Sequence, residues 1–173
     1  MLLPNMKMEV EKMLESIEKN RIDKITYYLD IAETVSKRST CLKRRYGAII
    51  VKNSEIISTG YNGAPRGITN CVDEKKCNRE FCTRGTGYEN CIAVHAEMNA
   101  IISSSRRDML DSSLFLVGLE TDGSYVNNGE PCSICKKIIV NAGIKYVYVR
   151  INESQYKLII VNNWKRESLI GGY

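Results

Sequence analysis

The second half of the chain alternates β-rich runs with a helical pattern, and this order constrains the fold more than any other feature. Residues 113–120 (SLFLVGLE) and 144–151 (IKYVYVRI) are rich in β-branched and aromatic side chains, which is typical of buried strands. Between them, residues 131–143 (PCSICKKIIVNAG) predict a helix that has proline in its first turn and ends at glycine. Such alternation indicates an α/β fold.

The first half adds a strand pair and further helices. Residues 46–53 and 55–63 are two β-rich runs separated by a tight turn, which predicts a hairpin. Residues 22–38 carry apolar side chains at helical spacing, 95–107 predict another helix, and 156–163 one more strand. We therefore predict a three-layer α/β/α sandwich, with a mixed sheet of about five strands and helices on both faces.

The length of 173 residues is enough for one domain with a sizeable core. Residues 6–20 place apolar side chains at helical spacing with charges between them, which predicts a short amphipathic helix. We expect an N-terminal amphipathic helical extension over residues 1–21 and a single domain over residues 22–173. No apolar run reaches the length of a membrane span and the start lacks the features of a secretory signal, so we expect a cytoplasmic protein.

The net charge of +5 suits an anionic small-molecule partner and does not by itself exclude nucleic acid. A nucleic-acid enzyme is expected to have an extended basic and aromatic surface on which splayed bases stack. The chain has one tryptophan and two phenylalanines, which disfavours that class.

The chain has seven cysteines, all between Cys41 and Cys135, and a single histidine, His95. Clustered thiols in a reducing compartment more often hold metal than form stable disulfides. His95, Cys132 and Cys135 supply one imidazole and two thiolates, a set that tetrahedral zinc prefers, and they leave a fourth position for water. Glu97 is two residues from His95, too close to ligate the same ion comfortably and well placed to transfer protons.

Other interpretations of these residues stay open. The histidine and the two cysteines can be ordinary core residues, or they can hold a zinc ion that is purely structural. The order H-x-E followed by P-C-x-x-C is, however, the signature of zinc-dependent nucleobase deaminases. This signature favours a catalytic site.

Three stretches, GAIIVKNSEIISTGYNGAPRG, HAEMNAI and PCSICKKIIVNAGIKYV, together resemble the deoxycytidylate deaminase family of the zinc-dependent cytidine deaminase superfamily. The similarity runs from about residue 24 to residue 150, and TGYNGAPRG separates this family from tRNA adenosine deaminases and free cytidine deaminases. The resemblance implies a cytidine deaminase-like fold with a catalytic zinc on His95, Cys132 and Cys135. It also implies that Glu97 is the proton shuttle and that Asn62 contacts the sugar of the substrate.

The reaction that the resemblance implies is hydrolytic deamination of deoxycytidylate (dCMP) to deoxyuridylate (dUMP) with release of ammonia, in pyrimidine deoxynucleotide metabolism. It further implies a homo-oligomer that has dCTP and dTTP as effectors. The alternatives are a deaminase of another cytosine nucleotide, of a nucleoside or of nucleic acid, and a non-catalytic, zinc-stabilised nucleotide-binding protein.

A nucleotide substrate requires a phosphate-binding group. We expect Arg44, Arg45 and Arg66 to lie in loops near Asn62 and to be the candidates for this role, although each can also be a surface charge. The polar loop over residues 121–130 is expected at the mouth of the substrate pocket.

Five cysteines remain after the catalytic pair is assigned. Several members of the resembled family carry a second, structural zinc, and the resemblance places four thiols at its ligand positions: Cys41, Cys71, Cys77 and Cys91. Cys82 is the alternate to Cys77, because the two are close in sequence. Such an ion would order residues 70–92, which have almost no apolar periodicity. Unligated buried thiols, a disulfide and a redox switch are the alternatives.

Overall fold

The computed structural model describes residues 21–83 and 86–170, together with Met6, Glu9 and Met13. The expected N-terminal extension over residues 1–21, and the amphipathic helix within it, lie almost wholly outside the described residues, so this division of the chain stays a prediction. Within the described part of the chain, no helix is long and apolar enough to cross a membrane.

One mixed sheet is built from five strands, whose bounds are β1 (Arg44–Lys52), β2 (Glu55–Tyr61), β3 (Ser113–Glu120), β4 (Tyr146–Arg150) and β5 (Tyr156–Ile160). Their spatial order is β2-β1-β3-β4-β5. Strand β1 pairs antiparallel with both β2 and β3, β3 and β4 are parallel, and β4 and β5 are antiparallel. The predicted five-stranded mixed sheet and the predicted hairpin are confirmed.

The α-helices of the described residues are α1 (Lys24–Ser36), α2 (Cys71–Glu74), α3 (Ala96–Ile102), α4 (Arg106–Met109) and α5 (Ser133–Ala142). Helix α1 covers one face of the sheet, where Tyr28, Leu29 and Ala32 pack into a buried cluster with side chains of β1 and β3. Helices α3 and α5 cover the opposite face and enclose a second, larger cluster with the inner side chains of β1, β3 and β4. The three-layer α/β/α sandwich is confirmed.

The helix predicted over residues 95–107 is two helices in the structure. Helix α3 ends at Ile102, and the Ser105 side chain accepts a hydrogen bond from the backbone N–H of Asp108, which caps the start of α4. A serine that satisfies a free N–H in this way begins a new helix where the apolar spacing alone suggests continuation.

The helix predicted over residues 131–143 begins two residues later than expected. Its first residue is Ser133, so Pro131 precedes the helix and does not lie in its first turn. The predicted end is confirmed, because Gly143 follows the last helical residue with a φ of 80°, a left-handed conformation that glycine adopts without strain.

Strand β2 approaches helix α3 so closely that no side chain fits at Gly60. A Cβ atom at Gly60 would lie 2.3 Å from the backbone nitrogen of Ala100 and 2.4 Å from the carbonyl oxygen of Ala96. Both neighbours are backbone atoms of α3, which cannot move aside without shifting the helix. Glycine at this position therefore sets how deeply α3 sits on the sheet.

We expect Gly60→Ala to destabilise the fold by about 1–3 kcal/mol, because the added methyl group forces α3 away from β2. The measurement is the free energy of unfolding from denaturant titration. Gly129→Ala is the matched control, since a Cβ atom there meets nothing closer than 3.4 Å. Equal losses of stability in the two variants would contradict the role assigned to Gly60.

Candidate active site

Helices α3 and α5 begin at the same edge of the sheet. The last residue of β2, Tyr61, pairs with Gly47 of β1, which in turn pairs with Val117 near the end of β3, so β2 and β3 end at one edge. His95 is the N-cap residue of α3 and Cys132 is the N-cap residue of α5. Neither side chain caps its own helix by a hydrogen bond to the N–H groups of the first turn.

The chain leaves the sheet after β2 and returns to α3 through an isolated β-bridge. The Gly63 N–H donates to the Val94 carbonyl at 3.2 Å, and the Val94 N–H donates to the Gly63 carbonyl at 2.8 Å. The bridge fixes both ends of the intervening segment 64–93. Because His95 follows Val94 directly, these backbone hydrogen bonds also fix the position of the His95 main chain.

The three donors that the sequence predicts come together at this edge. The His95 Nδ1 atom lies 3.5 Å from the Cys132 Sγ atom and 3.4 Å from the Cys135 Sγ atom, and all three donors lie within 4.8 Å of one another. Cys135 is fully buried, and the other two are half-buried. One imidazole nitrogen and two sulfurs at this separation fit the donor set of a tetrahedral zinc site with one open position.

The charge states of these donors are set by their contacts with one another. A hydrogen bond from the Cys135 thiol, helped by one from His95, lowers the pKa of Cys132 to about 4. The same hydrogen bond and burial raise the pKa of Cys135. The hydrogen bond to Cys132 raises the pKa of His95 above its ordinary value, against the effect of burial. Cys132 therefore carries a thiolate, the form that binds metal.

Glu97 lies in the first turn of α3 beside the three donors, and its side chain is only 4% exposed. Burial raises the pKa of its carboxyl group, while the positive charge of His95 and a hydrogen bond from Cys135 act in the opposite direction. A buried carboxyl group with a raised pKa can take up and release a proton near neutral pH. Its position and environment suit the proton-transfer role predicted for it.

A cleft of about 710 Å³ opens over these residues, a volume in the usual range for small-molecule sites. His95, Glu97 and Cys132 line its floor. Asn127, Asn128 and Glu130 line it from the loop before α5. The loop over residues 121–130 thus contributes to the cleft wall, as predicted.

Asn62 lines the cleft and is 8% exposed. Its Oδ1 atom accepts hydrogen bonds of 2.7 Å from both the Tyr46 N–H and the Ser39 hydroxyl, and its Nδ2 atom donates to the Arg44 carbonyl at 2.9 Å. The amide therefore joins the start of β1 to the loop that precedes it. One Nδ2 hydrogen remains for another acceptor.

Two of the arginines expected in loops near Asn62 lie in a strand: Arg44 and Arg45 are the first residues of β1, and the Arg44 carbonyl accepts a hydrogen bond from Asn62. Of the three predicted arginines, all within the described residues, Arg44 lines the cleft and Arg45 and Arg66 do not. The Arg44 guanidinium is already held by Glu120, with its Nε atom 3.0 Å from both carboxylate oxygens. Strand pairing places these two residues opposite each other.

Three cations of the cleft wall were missed by the sequence reasoning: Lys43, Arg79 and Lys136. Arg79 lies in the segment 70–92, which has neither apolar periodicity nor a basic cluster. The one signal that could have found it is its place two residues after Cys77, in a segment already expected beside the site.

The thiols proposed for a second metal site are neighbours in space. Burial raises the pKa of Cys71, and the thiols of Cys41, Cys77 and Cys91 raise it further, whereas Cys82 does not contribute. Within the described part of the chain, the group of His95, Cys132 and Cys135 is the one set of three or more donors within 4.8 Å of one another. The four thiols are therefore close but more widely spaced.

The fold and the donor set define an α/β/α protein that has a histidine–cysteine–cysteine metal centre. The family described as "Cytidine and deoxycytidylate deaminase zinc-binding region" matches residues 22–151. The chain belongs to this family. The resemblance predicted from the sequence and the predicted zinc cofactor are confirmed at the level of the family, and the geometry of His95, Cys132 and Cys135 fits the ligand role predicted for them.

Individual relatives carry deaminase names. The chain is 33% identical over 135 residues to the deoxycytidylate deaminase of Mycobacterium phage D29, covering 74% of this chain and 94% of that protein. It is 36% identical over 124 residues to the deoxycytidylate deaminase of Schizosaccharomyces pombe, which covers 70% of this chain and 35% of the yeast protein. The chain thus spans about a third of the yeast relative's length.

Among solved structures, the apo dCMP deaminase of the cyanophage S-TIM5 superposes with a TM-score of 0.54 and 31% identity, covering 75% of this chain and 85% of that one. The same cyanophage enzyme has also been solved in complex with dCMP and dUMP. The cytidine deaminase-like fold is confirmed.

We expect the metal-free protein to hold one thiolate at pH 6, because the pKa of Cys132 is lowered to about 4. Thiolate absorbance near 240 nm, followed while the pH falls from 6 to 3 after chelation, should decrease in a step centred near that pKa. Cys132→Ser should remove the step, and Cys82→Ser, which changes another thiol, should keep it. A wild-type protein without absorbance change in this range would contradict the assignment.

Proposed function

We propose that this protein catalyses the hydrolytic deamination of dCMP to dUMP with release of ammonia. The observation that carries the proposal is the buried Glu97 carboxyl group beside the three donors His95, Cys132 and Cys135 at the floor of one cleft. Family membership supports the reaction class, and the names of the phage relatives support the substrate. A structural metal site would have no use for a buried acid at this position.

The residues of the chain divide the chemistry between them. His95, Cys132 and Cys135 would hold the zinc ion, which would supply Lewis-acid activation of a water molecule. Glu97 accepts a proton from the attacking water and passes it to N3 of the cytosine ring. It then delivers a proton to the amino group on C4, which leaves as ammonia. One C–O bond forms and one C–N bond breaks, so one water is consumed for each ammonia released.

For substrate contacts, we propose that Asn62 uses its remaining Nδ2 hydrogen to bind the sugar, which its place in the cleft wall supports. Arg44 lines the same wall, but Glu120 already engages its guanidinium, so a contact to substrate would have to share it. Phosphate contacts by Arg45 or Arg66 stay predictions. The homo-oligomer, the effectors dCTP and dTTP, and the cytoplasmic location also stay predictions.

Glu97→Gln should retain zinc and lose about 10²- to 10⁴-fold in kcat, because the amide keeps the shape of the side chain but cannot transfer protons. Ammonia release from dCMP measures turnover, and metal analysis of the same sample measures zinc. Glu55→Gln is the matched control, since Glu55 is exposed on β2, away from the cleft. A Glu97→Gln enzyme that keeps most of its activity would contradict the proton-transfer role assigned to Glu97.

Side-by-side assays with dCMP, cytidylate and deoxycytidine separate the alternatives. A preference for cytidylate or deoxycytidine would indicate a deaminase of another cytosine compound. Zinc-loaded protein that releases ammonia from none of them would indicate a non-catalytic nucleotide-binding protein.

We further propose that Cys41, Cys71, Cys77 and Cys91 hold a second, structural zinc. The influence of Cys41, Cys77 and Cys91 on the pKa of Cys71 supports the set, and it favours Cys77 over Cys82 as the fourth ligand. The segment 70–92 supports it as well, because its described residues form one short helix of four residues, α2, and one 3₁₀ turn at Tyr88–Asn90, and neither contains a fully buried residue. A metal would supply the order that a core does not.

Freshly purified protein should contain two zinc ions per chain, and Cys71→Ser should reduce the content to one and lower the melting temperature. Cys82→Ser is the matched control and should keep both ions. One zinc per chain in the wild-type protein would contradict the second site. Loss of one zinc from the Cys82 variant would show that Cys82, and not Cys77, is the fourth ligand.

A further inference from the structure

The charges of the cleft wall are unevenly balanced. Among the described residues, four cations line it: Lys43, Arg44, Arg79 and Lys136. Two of them have acidic partners, since Arg44 forms an ion pair with Glu120 at 2.9 Å and Lys136 lies 3.9 Å from Glu130. For Lys43 and Arg79, no carboxylate of the described residues lies within 4.0 Å. The cleft therefore has uncompensated positive charge where these two residues lie.

Backbone carbonyl groups of residues 79–86 hold the side chains of both Lys43 and Arg79. The Lys43 ammonium donates to the carbonyl oxygens of Arg79 and Glu80. The Arg79 Nε atom donates to the Thr86 carbonyl at 3.0 Å. Among the described residues, no acceptor is hydrogen-bonded to the two Nη groups of Arg79, so these donors remain for a ligand.

Tyr88 holds the plane of the Arg79 guanidinium. The Cζ atom of Arg79 lies 3.5 Å from the centroid of the Tyr88 ring, a close cation–π contact. The same ring lies beside the metal centre, because the Tyr88 and His95 ring centroids are 6.2 Å apart with an edge-on geometry. Tyr88 therefore lies beside both the guanidinium and the metal donors.

The arrangement of the metal donors and the cleft cations matches the parts of a nucleotide. The base that reacts must lie at the metal centre, and the sugar separates it from the phosphate. A phosphate-binding group must accordingly stand off from the metal donors while lining the same cleft. Arg79 meets both conditions, because it lines the cleft and contacts the Tyr88 ring that lies beside His95.

We propose that Arg79 and Lys43 bind the 5′-phosphate of the nucleotide substrate, and that Tyr88 positions Arg79 for this contact. This inference rests on the proposed function and names the part of the site that selects a nucleotide over a nucleoside. The planar fork of arginine matches phosphate oxygens with two parallel hydrogen bonds, and lysine adds a point charge. Arg45 and Arg66, which do not line the cleft, stay predictions as further phosphate contacts.

The test compares kcat/KM for dCMP and for deoxycytidine, which lacks the phosphate. Arg79→Met should lower kcat/KM for dCMP by about 10- to 100-fold, the value of one charge-assisted contact, and leave deoxycytidine unchanged. Arg107→Met is the matched control, because Arg107 is exposed and does not line the cleft, and it should change neither substrate. Zinc content is measured in all variants.

Tyr88 is tested as a positioning residue by two substitutions. Tyr88→Leu removes the aromatic face and should raise KM for dCMP while leaving kcat nearly unchanged. Tyr88→Phe keeps the face and should restore the wild-type KM. A Phe variant as impaired as the Leu variant would overturn the stacking role.

Two results would overturn the phosphate site: an unchanged kcat/KM for dCMP in Arg79→Met, or an equal loss on both substrates at full zinc content, which would mark a structural role. Calorimetric titration with dUMP and deoxyuridine separates this inference from the reaction itself. Tighter binding of dUMP that disappears in Arg79→Met supports the phosphate site even if no deamination is detected. Equal affinities of the wild-type protein for both ligands would overturn it.

Discussion

The bridge between Gly63 and Val94 is the constraint on which the site depends. His95 reaches the two cysteines only because this pair of backbone hydrogen bonds returns the chain to the sheet edge after the excursion over residues 64–93. The absent side chain of Gly60 lets α3 sit against β2 directly behind it. Cys132 and Cys135 arrive from the other half of the molecule, on the helix that connects the parallel strands β3 and β4. The three donors therefore come from two parts of the fold: His95 follows the β1–β2 hairpin, and the two cysteines lie on the connection between β3 and β4.

The parts of the structure that the sequence predicts are those encoded by local patterns. The strands follow from β-branched and aromatic runs, and the donors with Glu97 follow from two short motifs. The roles of the cations in the cleft depend instead on contacts that local patterns do not encode. The engagement of Arg44 depends on its register with Glu120 across two strands that are 76 residues apart in sequence, and no local pattern reports such a pairing. The role inferred for Arg79 depends on the stacking of Tyr88 against its guanidinium, and the described residues of segment 70–92 have too little regular structure for a local pattern to report that contact.

The active site also contains ionisable groups whose charged forms are disfavoured by burial. Glu97 is a carboxyl group buried among apolar residues of α3, and burial disfavours its charged form. The thiolate of Cys132 is stabilised chiefly by groups that would themselves bind a metal, namely the Cys135 thiol and the His95 imidazole, and also by the backbone N–H of Cys135. Such conflicts between local stability and chemistry concentrate at functional sites. Elsewhere in the described core, the buried charged side chain of Arg150 is paired with Asp30.

Segment 70–92 connects the proposals about metal and substrate. Arg79 stands between Cys77 and Cys91 in sequence, and Tyr88 lies three residues before Cys91. A zinc ion on the four thiols would anchor both ends of the stretch that carries the guanidinium and the ring beneath it. The reaction centre, by contrast, is held by α3, α5 and the sheet. Loss of the structural ion should then weaken the discrimination between nucleotide and nucleoside before it affects the chemical step, because the two ends of the cleft are ordered by different parts of the chain.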